Sequence, residues 1–553
     1  MRIFCYNKDV NDANSYKNFI ASRKETIMDK VFENFFKTQI PETDVREKVQ
    51  NGLARALKRE NNKTTTENGM NSYKSTDSAL LDLYGKIGAM RNTLESEVIS
   101  KFEAAFVEDP LLALKLTFYA RDIRQGLGER KVSKEIWAHL AKVYPDIMRE
   151  NLKYIPEFGR WDDLYVFVDT PIEKDMWKVV KDQLVQDVTD MQNGKPISLI
   201  AKWLKSVNTS SKVSVELGRK TAKALGFTDR QYQKLLAKLR SYINVLEAKM
   251  SAQEWKEIEY SSVPSRAMKN YRKAFYEHDK EGFAKYIEAV QKGEKKINSG
   301  TLYPYDIVEQ YMTDYSWRYG RHPYDPVIEE QWKALPNFVD TDDNVLIMAD
   351  TSGSMSGRPM ATAVGLAIYF AERNKGAFAN TFMTFSENPT FVELKGDTLA
   401  NKVYTTSKAN WGSNTDIKKA FMLILSVAQK NHVAPEDMPK SLVIISDQQF
   451  DRQRCAYEWD FYSDMKARFA RYGYTIPNIV FWNVRDTKDT FHVKSDYEGV
   501  QLASGSSTSV FKAILNNMDL TPYQAMVNVL SVERYDCIKL PYNNLPPIGR
   551  RFA

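Results

Sequence analysis

Short apolar runs alternate with amphipathic helices in the last third of this 553-residue chain, and this alternation constrains the fold more than any other feature. Pro359–Asn374 and Thr415–Gln429 carry apolar residues at helical spacing. Alternating strands and helices predict a parallel, doubly wound sheet with helices on both faces. Ligand-binding loops are then expected at the carboxyl ends of the strands. The predicted strands are Asp342–Ala349, Thr381–Phe385, Ser441–Ile445, Asn478–Trp482 and Val500–Ala503.

Side chains with oxygen atoms follow two of these strands and open one helix. Asp350, Ser352 and Ser354 come after the first strand, Thr415 opens a helix, and Asp447 follows the third strand. The alternating spacing in the first loop turns three oxygens toward one point. Hard divalent cations prefer such oxygen ligands. The sequence therefore predicts a site for Mg²⁺, or for Mn²⁺ or Ca²⁺, formed by these five residues, although a lone Asp-x-Ser-x-Ser is equally typical of a helix N-cap loop.

The order Asp-x-Ser-x-Ser, then Thr, then Asp resembles the metal-ion-dependent adhesion site (MIDAS) of von Willebrand factor A domains. The resemblance implies that Ser352, Ser354 and Thr415 contact the metal directly, while Asp350 and Asp447 act through water. It also implies a sixth coordination position that is open to water or to a carboxylate of a protein partner.

Upstream of this region, apolar residues recur at intervals of three and four from Ser78 to about Gln310, with short turns between. This pattern predicts paired helices stacked as an α-solenoid. Arg59–Ser75 is rich in Asn, Thr and Lys and predicts a surface loop or linker. The expected organisation is an N-terminal extension and polar linker over 1–75, a helical repeat domain over 76–336, an A-type domain over 337–520 and a C-terminal tail over 521–553.

Two segments of the helical region, Ala120–Arg130 and Ile155–Leu164, resemble the TROVE module of the Ro ribonucleoprotein and its bacterial relatives. Two further segments, Leu199–Leu204 and Val263–Ala267, resemble a TROVE-related branch that also ends in an A domain. The resemblance implies α plus α/β architecture, with a HEAT-like helical ring closed by the Rossmann-like A domain. It also implies a basic outer face that binds structured small RNA and a central hole that admits single-stranded RNA ends.

Positive charge is concentrated in one stretch of the chain. The formal net charge is +7, yet residues 201–300 contain 21 Lys and Arg against 11 Asp and Glu. A local excess of this kind predicts a polyanionic partner or a solvated helical face. Tyr232 lies nearby for stacking on bases. The RNA-binding candidates are Lys212, Arg219, Lys220, Lys223, Lys234, Lys238 and Arg240, with a second cluster of Arg266, Lys269, Arg272 and Lys273.

Three arginines, Arg121, Arg124 and Arg130, surround a glycine-containing turn. They are suited either to a phosphate or to pairing with acidic residues inside the solenoid.

Two functions remain open at this stage. One is a Ro-like RNA-binding ring with a Mg²⁺ site, and the other is a protein-interaction scaffold whose metal site grips an acidic residue of a partner. No enzymatic activity is expected, because the sequence has no nucleotide fingerprint and no Ser/His/Asp arrangement. Three scattered cysteines and the lack of a long apolar run favour a cytoplasmic protein without a membrane partner. No sequence-specific binding of DNA is expected.

Overall fold

The computed structural model describes residues 57–58, 60–312, 323–339, 344–386, 388–409, 411–412, 415–452 and 461–541. Thr64–Ala553 form one compact unit. The described part of this unit combines a long run of helices with one six-stranded sheet, so the expected α plus α/β class is confirmed. Within the described ranges, every helix is too short or too polar to cross a lipid bilayer.

Fifteen labelled α-helices make up the helical part. They are α1 (Ala79–Tyr84), α2 (Glu95–Glu108), α3 (Pro110–Arg121), α4 (Lys131–Val143), α5 (Pro145–Asn151), α6 (Ile155–Phe158), α7 (Glu173–Gln192), α8 (Ile200–Trp203), α9 (Lys212–Leu225), α10 (Asp229–Tyr242), α11 (Leu246–Ser251), α12 (Ser265–His278), α13 (Lys280–Gln291), α14 (Pro304–Val308) and α15 (Pro326–Lys333). Short 3₁₀ turns occur at Met90–Asn92, Leu152–Tyr154, Trp161–Phe167, Trp255–Glu257, Tyr260–Ser262 and Glu309–Tyr311.

The α/β part follows. Its strands are β3 (Val345–Asp350), β4 (Thr381–Phe385), β5 (Phe391–Glu393), β6 (Ser441–Ser446), β7 (Asn478–Asn483) and β8 (Val500–Ser504), after the two-stranded sheet of β1 (Lys63–Thr65) and β2 (Asn71–Tyr73). Its helices are α16 (Arg358–Arg373), α17 (Leu399–Ser407), α18 (Ile417–Lys430), α19 (Phe461–Arg471), α20 (Ser509–Leu515) and α21 (Pro522–Leu530), with 3₁₀ turns at Gly353–Met355, Pro435–Asp437 and Glu533–Tyr535.

The large sheet has the strand order β5-β4-β3-β6-β7-β8, and every neighbouring pair is parallel except β4 and β5. All six residues of β3 and of β6 are buried, as expected for central strands covered on both faces. From β3 the chain continues to β4 on one side, whereas from β6 it continues to β7 on the other side, so the loops after β3 and β6 diverge. This switch point is the position at which open α/β sheets bind ligands.

Both ends of the helical part contact the α/β part. The first helix, α1, packs against β8, whereas α14 packs against α16 near the other end. The second contact requires Gly365, because a Cβ atom there would lie 2.9 Å from the backbone nitrogen of Tyr305. A buried ion pair of 3.1 Å between Lys86 and Asp486 joins the segment after α1 to the loop after β7.

Two segments pack more closely than the sequence predicted. The interval 59–75 was interpreted as a linker, but it contains β1 and β2, and Thr66, Met70 and Tyr73 are buried. The interval 521–553 was interpreted as a tail, but α21 packs against α1, α3 and β8. Both segments are short and polar in part, and their partners lie hundreds of residues away, so local patterning does not reveal them. Residues 1–56 and 542–553 lie outside the described residues.

Candidate metal centre

The loop after β3 brings three of the predicted ligands to the carboxyl edge of the sheet. Asp350 is the last residue of β3 and is fully buried. Its Oδ1 accepts a 2.8 Å hydrogen bond from the backbone N–H of Ser352, which shapes the turn. The hydroxyl oxygens of Ser352 and Ser354 lie 3.1 Å apart. Two hydroxyls therefore converge directly beside the buried carboxylate.

The loop after β6 supplies the second carboxylate. In the sheet register Ala349 pairs with Ile445, which places Asp350 beside Ser446 and one residue from Asp447. The Oδ1 atom of Asp447 accepts a 3.2 Å hydrogen bond from the N–H of Gln449. The Oδ2 atom of Asp447 is buried and has no hydrogen-bond partner in the described part of the chain. A buried carboxylate oxygen left unpaired is costly, and a cation would satisfy it.

Thr415 reaches the same loop from the start of α18. Its hydroxyl donates to the carbonyl oxygen of Gln449 at 3.2 Å, and its backbone N–H donates to Asp451 at 2.6 Å. A hydroxyl that donates its only proton keeps its oxygen lone pairs free for a metal. Ser413 and Asn414, which precede Thr415, lie outside the described residues.

The electrostatics of the centre favour a cation. Burial, reinforced by the negative charge of Asp447, raises the pKa of Asp350 to about 7, against the effect of hydrogen bonds from Ser352 and Ser446. Two carboxyl groups this close cannot both ionise easily without a compensating positive charge.

The residues present fit a hard divalent cation. Two carboxylates and three hydroxyls supply oxygen ligands and leave coordination positions for water, as Mg²⁺ prefers. Among the described residues, no group of three or more His, Cys, Asp and Glu side chains forms a metal site. The proposed set has two carboxylates and three hydroxyls and is of a different kind.

Two residues of this edge, Ser446 and Arg485, were not among the predicted site residues. Ser446 Oγ donates to Asp350 Oδ2 at 2.7 Å and accepts from the N–H of Gln448 at 3.0 Å. Arg485, in the loop after β7, donates to the carbonyl oxygen of Ser354. The position of Ser446 directly after the predicted strand Ser441–Ile445 was a usable signal, whereas nothing local marks Arg485.

The loop after β6 is also held in place by His492 and by side chains of residues 66–68. Gln448 adopts a positive φ of 65°, an uncommon conformation for a non-glycine residue. Its carbonyl oxygen accepts a 3.0 Å hydrogen bond from His492. The next two residues are held by side chains from 66–68, since Thr66 donates to Phe450 O at 2.6 Å and Asn68 donates to Gln449 O at 2.7 Å. Asp447 is therefore held in position from both sides.

Four of the basic residues predicted to bind RNA surround one cavity on α9. The cavity has a volume of about 460 Å³ and is lined by Thr209, Ser210, Val215 and Glu216 together with Lys212, Arg219, Lys220 and Lys223. Two of the four cations have acidic neighbours: Lys220 lies 2.9 Å from Asp169 and Arg219 lies 3.4 Å from Asp229. The four follow one another at intervals of seven, one and three residues, and they lie on one face of α9 together with Glu216, which gives a mainly basic groove.

The remaining candidates divide into exposed and internal groups. Lys234, Lys238 and Lys273 are exposed. Arg240 instead donates to the carbonyl oxygens of Ala201 and Leu204 at 2.8 and 2.9 Å, which satisfies the end of α8. Tyr232 is fully buried, so the structure does not offer it as a stacking platform.

The second basic cluster is engaged in ion pairs. Arg266 lies 3.0 Å from Asp306, and Lys269, which is buried, lies 2.7 Å from Glu309. Arg272 lies 2.8 Å from Asp325. These contacts join α12 to α14, to the turn that follows it and to the start of α15. The structure thus gives three of the four residues a role in packing, although Arg266 remains half exposed.

The arginines around the glycine-containing turn are also used internally. Arg121 and Arg130 both bind the buried carboxylate of Asp163, at 2.7 and 2.8 Å. Arg124 donates to the carbonyl oxygen of Glu157. Of the two alternatives given for these arginines, the structure therefore favours pairing with acidic residues within the helical part, with Asp163 as the main acidic partner.

Comparison with known proteins agrees with the two-part architecture. A family model described as a domain of unknown function (DUF7788) matches residues 344–537, and one described as a domain of unknown function (DUF2828) matches residues 66–196 and 196–341. The chain is 31% identical over 515 residues to "Uncharacterized protein L728" of Acanthamoeba polyphaga mimivirus, covering 85% of this chain and 87% of that protein. The chain belongs to the same family as this viral protein.

Proposed function

We propose that the α/β part is a von Willebrand A-type domain that binds Mg²⁺ through Ser352, Ser354 and Thr415, with Asp350 and Asp447 acting through water. The observation that carries the proposal is the unpaired, buried Oδ2 atom of Asp447 next to Asp350, whose pKa is raised. The bound cation would compensate both carboxylates and present an open coordination position. In this proposal the function is one of binding rather than catalysis, because hydroxyl groups make up most of the ligand set.

We further propose that the helical part is a HEAT-like ring closed by this domain in a cytoplasmic, Ro-like ribonucleoprotein. Contacts of α1 with β8 and of α14 with α16 support a closed arrangement, since they involve opposite ends of the helical part. Tyr303, just before α14, also donates a 3.4 Å hydrogen bond to the carbonyl oxygen of Leu127, before α4.

The proposed ligand of the helical part is structured or single-stranded small RNA. The basic groove on α9 supports this ligand, because its cations are spaced along one helix face and can follow a phosphate backbone. Lys212 and Lys223 have no acidic partner within the described residues and are available for phosphates.

A second candidate function is a protein-interaction scaffold. The observation that favours it is the position of the metal centre at an edge of the sheet, where Ser354 is exposed and an acidic side chain from a partner has access. In this alternative the basic groove is only a solvated surface.

The metal proposal is tested by thermal unfolding of the full chain with and without Mg²⁺ or Mn²⁺. The wild-type protein should unfold at a higher temperature in the presence of metal, because a ligand that binds only the folded state stabilises it. Asp350→Ala should abolish the increase while the protein remains folded. Asp437→Ala, which removes a carboxylate from the connection before β6 at the opposite edge, should leave the increase intact. A wild-type protein with no metal-dependent shift at millimolar metal would exclude the site.

A further inference from the structure

Three arginines without acidic partners among the described residues lie in the loops of the metal edge or directly after them. Arg358 follows the loop after β3, Arg452 follows the loop after β6, and Arg485 lies in the loop after β7. In the part of the chain that the structure describes, no carboxylate lies within ion-pair distance of any of the three. Arginines elsewhere are commonly paired, as Arg121, Arg130 and Arg534 are with buried aspartates. Each of the three central loops at this edge therefore carries one uncompensated guanidinium group.

Two of these side chains are held by contacts that leave hydrogen-bond donors free. The Arg358 guanidinium stacks over the ring of Tyr305 at 4.4 Å from the ring centroid. Stacking uses the planar face and keeps the N–H edge available. Arg485 uses one guanidinium nitrogen to donate to Ser354 O, which places the rest of the group beside a proposed metal ligand.

The backbone around Arg485 is anchored on both sides. The N–H of Arg485 donates to Asn483 Oδ1 at 3.0 Å. The next residue, Asp486, accepts from Lys86 at 3.1 Å and from Thr93 at 2.8 Å, so its charge is already compensated. The nearby Asp489 likewise pairs with Lys86 at 2.8 Å. The acidic residues of this loop are thus used internally, and the arginine is left at the edge.

The charge balance selects the ligand. A divalent cation offsets the two carboxylates of Asp350 and Asp447. The three arginines then exceed the further carboxylate of this edge, Asp451, which accepts from the backbone N–H of Thr415, by two positive charges. A carboxylate ligand would neutralise one of these charges, whereas a phosphate group brings up to two and offers several oxygens in a tetrahedral arrangement. Guanidinium groups and Mg²⁺ are both well suited to phosphate oxygens.

We infer that Arg358, Arg452 and Arg485, together with the metal, form a binding site for a phosphate group. This inference rests on the proposed metal site and adds the class of its ligand. One phosphate oxygen occupies the open coordination position, and the arginines bind the other oxygens. The phosphate belongs either to a small phosphorylated molecule or to an RNA strand, and the experiment separates these sources.

The test uses Mn²⁺ as a paramagnetic replacement for Mg²⁺ in the full chain. Electron paramagnetic resonance first measures Mn²⁺ binding, and ³¹P relaxation then reports whether a phosphate lies next to the bound ion. The probes are inorganic phosphate and one oligoribonucleotide with either a 5′-phosphate or a 5′-hydroxyl end. Relaxation enhancement of the terminal phosphate alone identifies an end-binding site. Enhancement of the internal phosphates identifies the RNA backbone, and enhancement with inorganic phosphate only identifies a small-molecule site.

Substitution of the arginines should separate phosphate binding from metal binding. Each of Arg358→Gln, Arg452→Gln and Arg485→Gln should weaken phosphate binding about tenfold, as expected for a lost charge-assisted hydrogen bond, without changing Mn²⁺ binding. The matched control is Arg471→Gln. Arg471 ends α19, which leads into β7 from the opposite edge of the sheet, and it has no acidic partner within the described ranges. Arg452 is exposed, and its side chain makes no hydrogen bond to described residues, so its variant tests the inference even if Arg485→Gln disturbs the loop.

Several outcomes would overturn the inference. Mn²⁺ binding without any ³¹P enhancement in the wild-type protein would show that no phosphate binds there. Enhancement unchanged in all three variants would show that the arginines do not contribute. An acidic peptide that displaces phosphate from the wild-type protein and binds the variants equally well would identify a carboxylate ligand. Failure of the wild-type protein to bind Mn²⁺ would remove the metal proposal itself, and it is visible before any phosphate is added.

Discussion

Ser446 donates a 2.7 Å hydrogen bond to the Oδ2 atom of Asp350 and so links the ends of the two central strands. The same hydroxyl accepts from the N–H of Gln448, which fixes the turn that holds Asp447. One side chain therefore orients both carboxylates of the proposed metal centre. A serine at the end of a central strand is here a positioning residue for the two carboxylates of the proposed metal site.

Metal binding should depend on pH around neutrality. The pKa of Asp350 is raised to about 7 by burial and by Asp447, so a proton competes with the cation below that pH. Affinity for Mn²⁺ should rise by about tenfold per pH unit up to about pH 7 and then level off. Calorimetric titration at a series of pH values measures this dependence.

The Asp350 carboxyl group also makes the stability of the metal-free protein depend on pH. A carboxyl group with a raised pKa stabilises the folded state fully below its ordinary value of 3.8, and this contribution is lost as the pH rises to about 7. Asp350→Asn, which cannot ionise, should remove this pH dependence.

A wild-type protein whose metal affinity is constant between about pH 5.5 and 8 would contradict the raised pKa of Asp350.

The sequence predicted the α/β part well because its signals are local. The runs Thr381–Phe385 and Asn478–Trp482 match β4 and β7 to within one residue, since continuous apolar residues are required of strands buried on both faces. The edge strand β5 was missed, because three residues with one buried side chain give no periodicity. The proposed metal ligands rest on their spacing at strand ends, which is also a local signal, and metal binding by them stays a prediction.

Predictions that depended on packing between distant helices were less successful. Tyr232 looked available beside a basic helix, yet it is buried and donates to the carbonyl oxygen of Lys205. The face of an amphipathic helix that meets a neighbour is set by the neighbour, not by the helix alone. For the same reason Arg272 could not be assigned to its ion pair with Asp325, 53 residues further along the chain.

The C-terminal segment should contribute strongly to stability through one ion pair. Arg534 donates to both carboxylate oxygens of Asp122, which is fully buried, with the shorter contact at 2.5 Å. Arg534→Ala leaves a buried carboxylate without its cationic partner and should lower the free energy of unfolding by about 3 kcal/mol. Chemical denaturation of the full chain measures the change. Arg471→Ala removes an exposed arginine and should change stability by less than about 0.5 kcal/mol. Equal effects of the two substitutions would show that the C-terminal segment does not depend on this pair.

RNA binding by the α9 groove should depend steeply on salt. Each single-strand phosphate neutralised contributes a slope of about −0.7 to the logarithm of affinity against the logarithm of salt concentration, so four to six contacts give about −3 to −4. Replacing Arg219, Lys220 and Lys223 with Glu should weaken binding and flatten this slope, because these residues line the groove. Gel-shift titrations with structured and single-stranded RNA at several salt concentrations measure both effects.

A charge-matched variant separates the groove from the overall charge of the protein. Lys280 and Lys285 on α13 and Lys292 directly after it are exposed and lie outside the groove. Their replacement with Glu changes the net charge by the same amount. This control should keep most of the affinity, since long-range attraction between exposed charges is screened within about 10 Å at moderate salt. Under the ribonucleoprotein proposal, Asp350→Ala should leave RNA binding by the groove unchanged. Under the scaffold alternative, Asp350→Ala should abolish binding of a protein partner, and the groove substitutions should leave that binding unchanged. If the groove variant and the charge-matched control lose the same RNA affinity, RNA binding depends only on the net charge of the protein. The groove is then a solvated helix face.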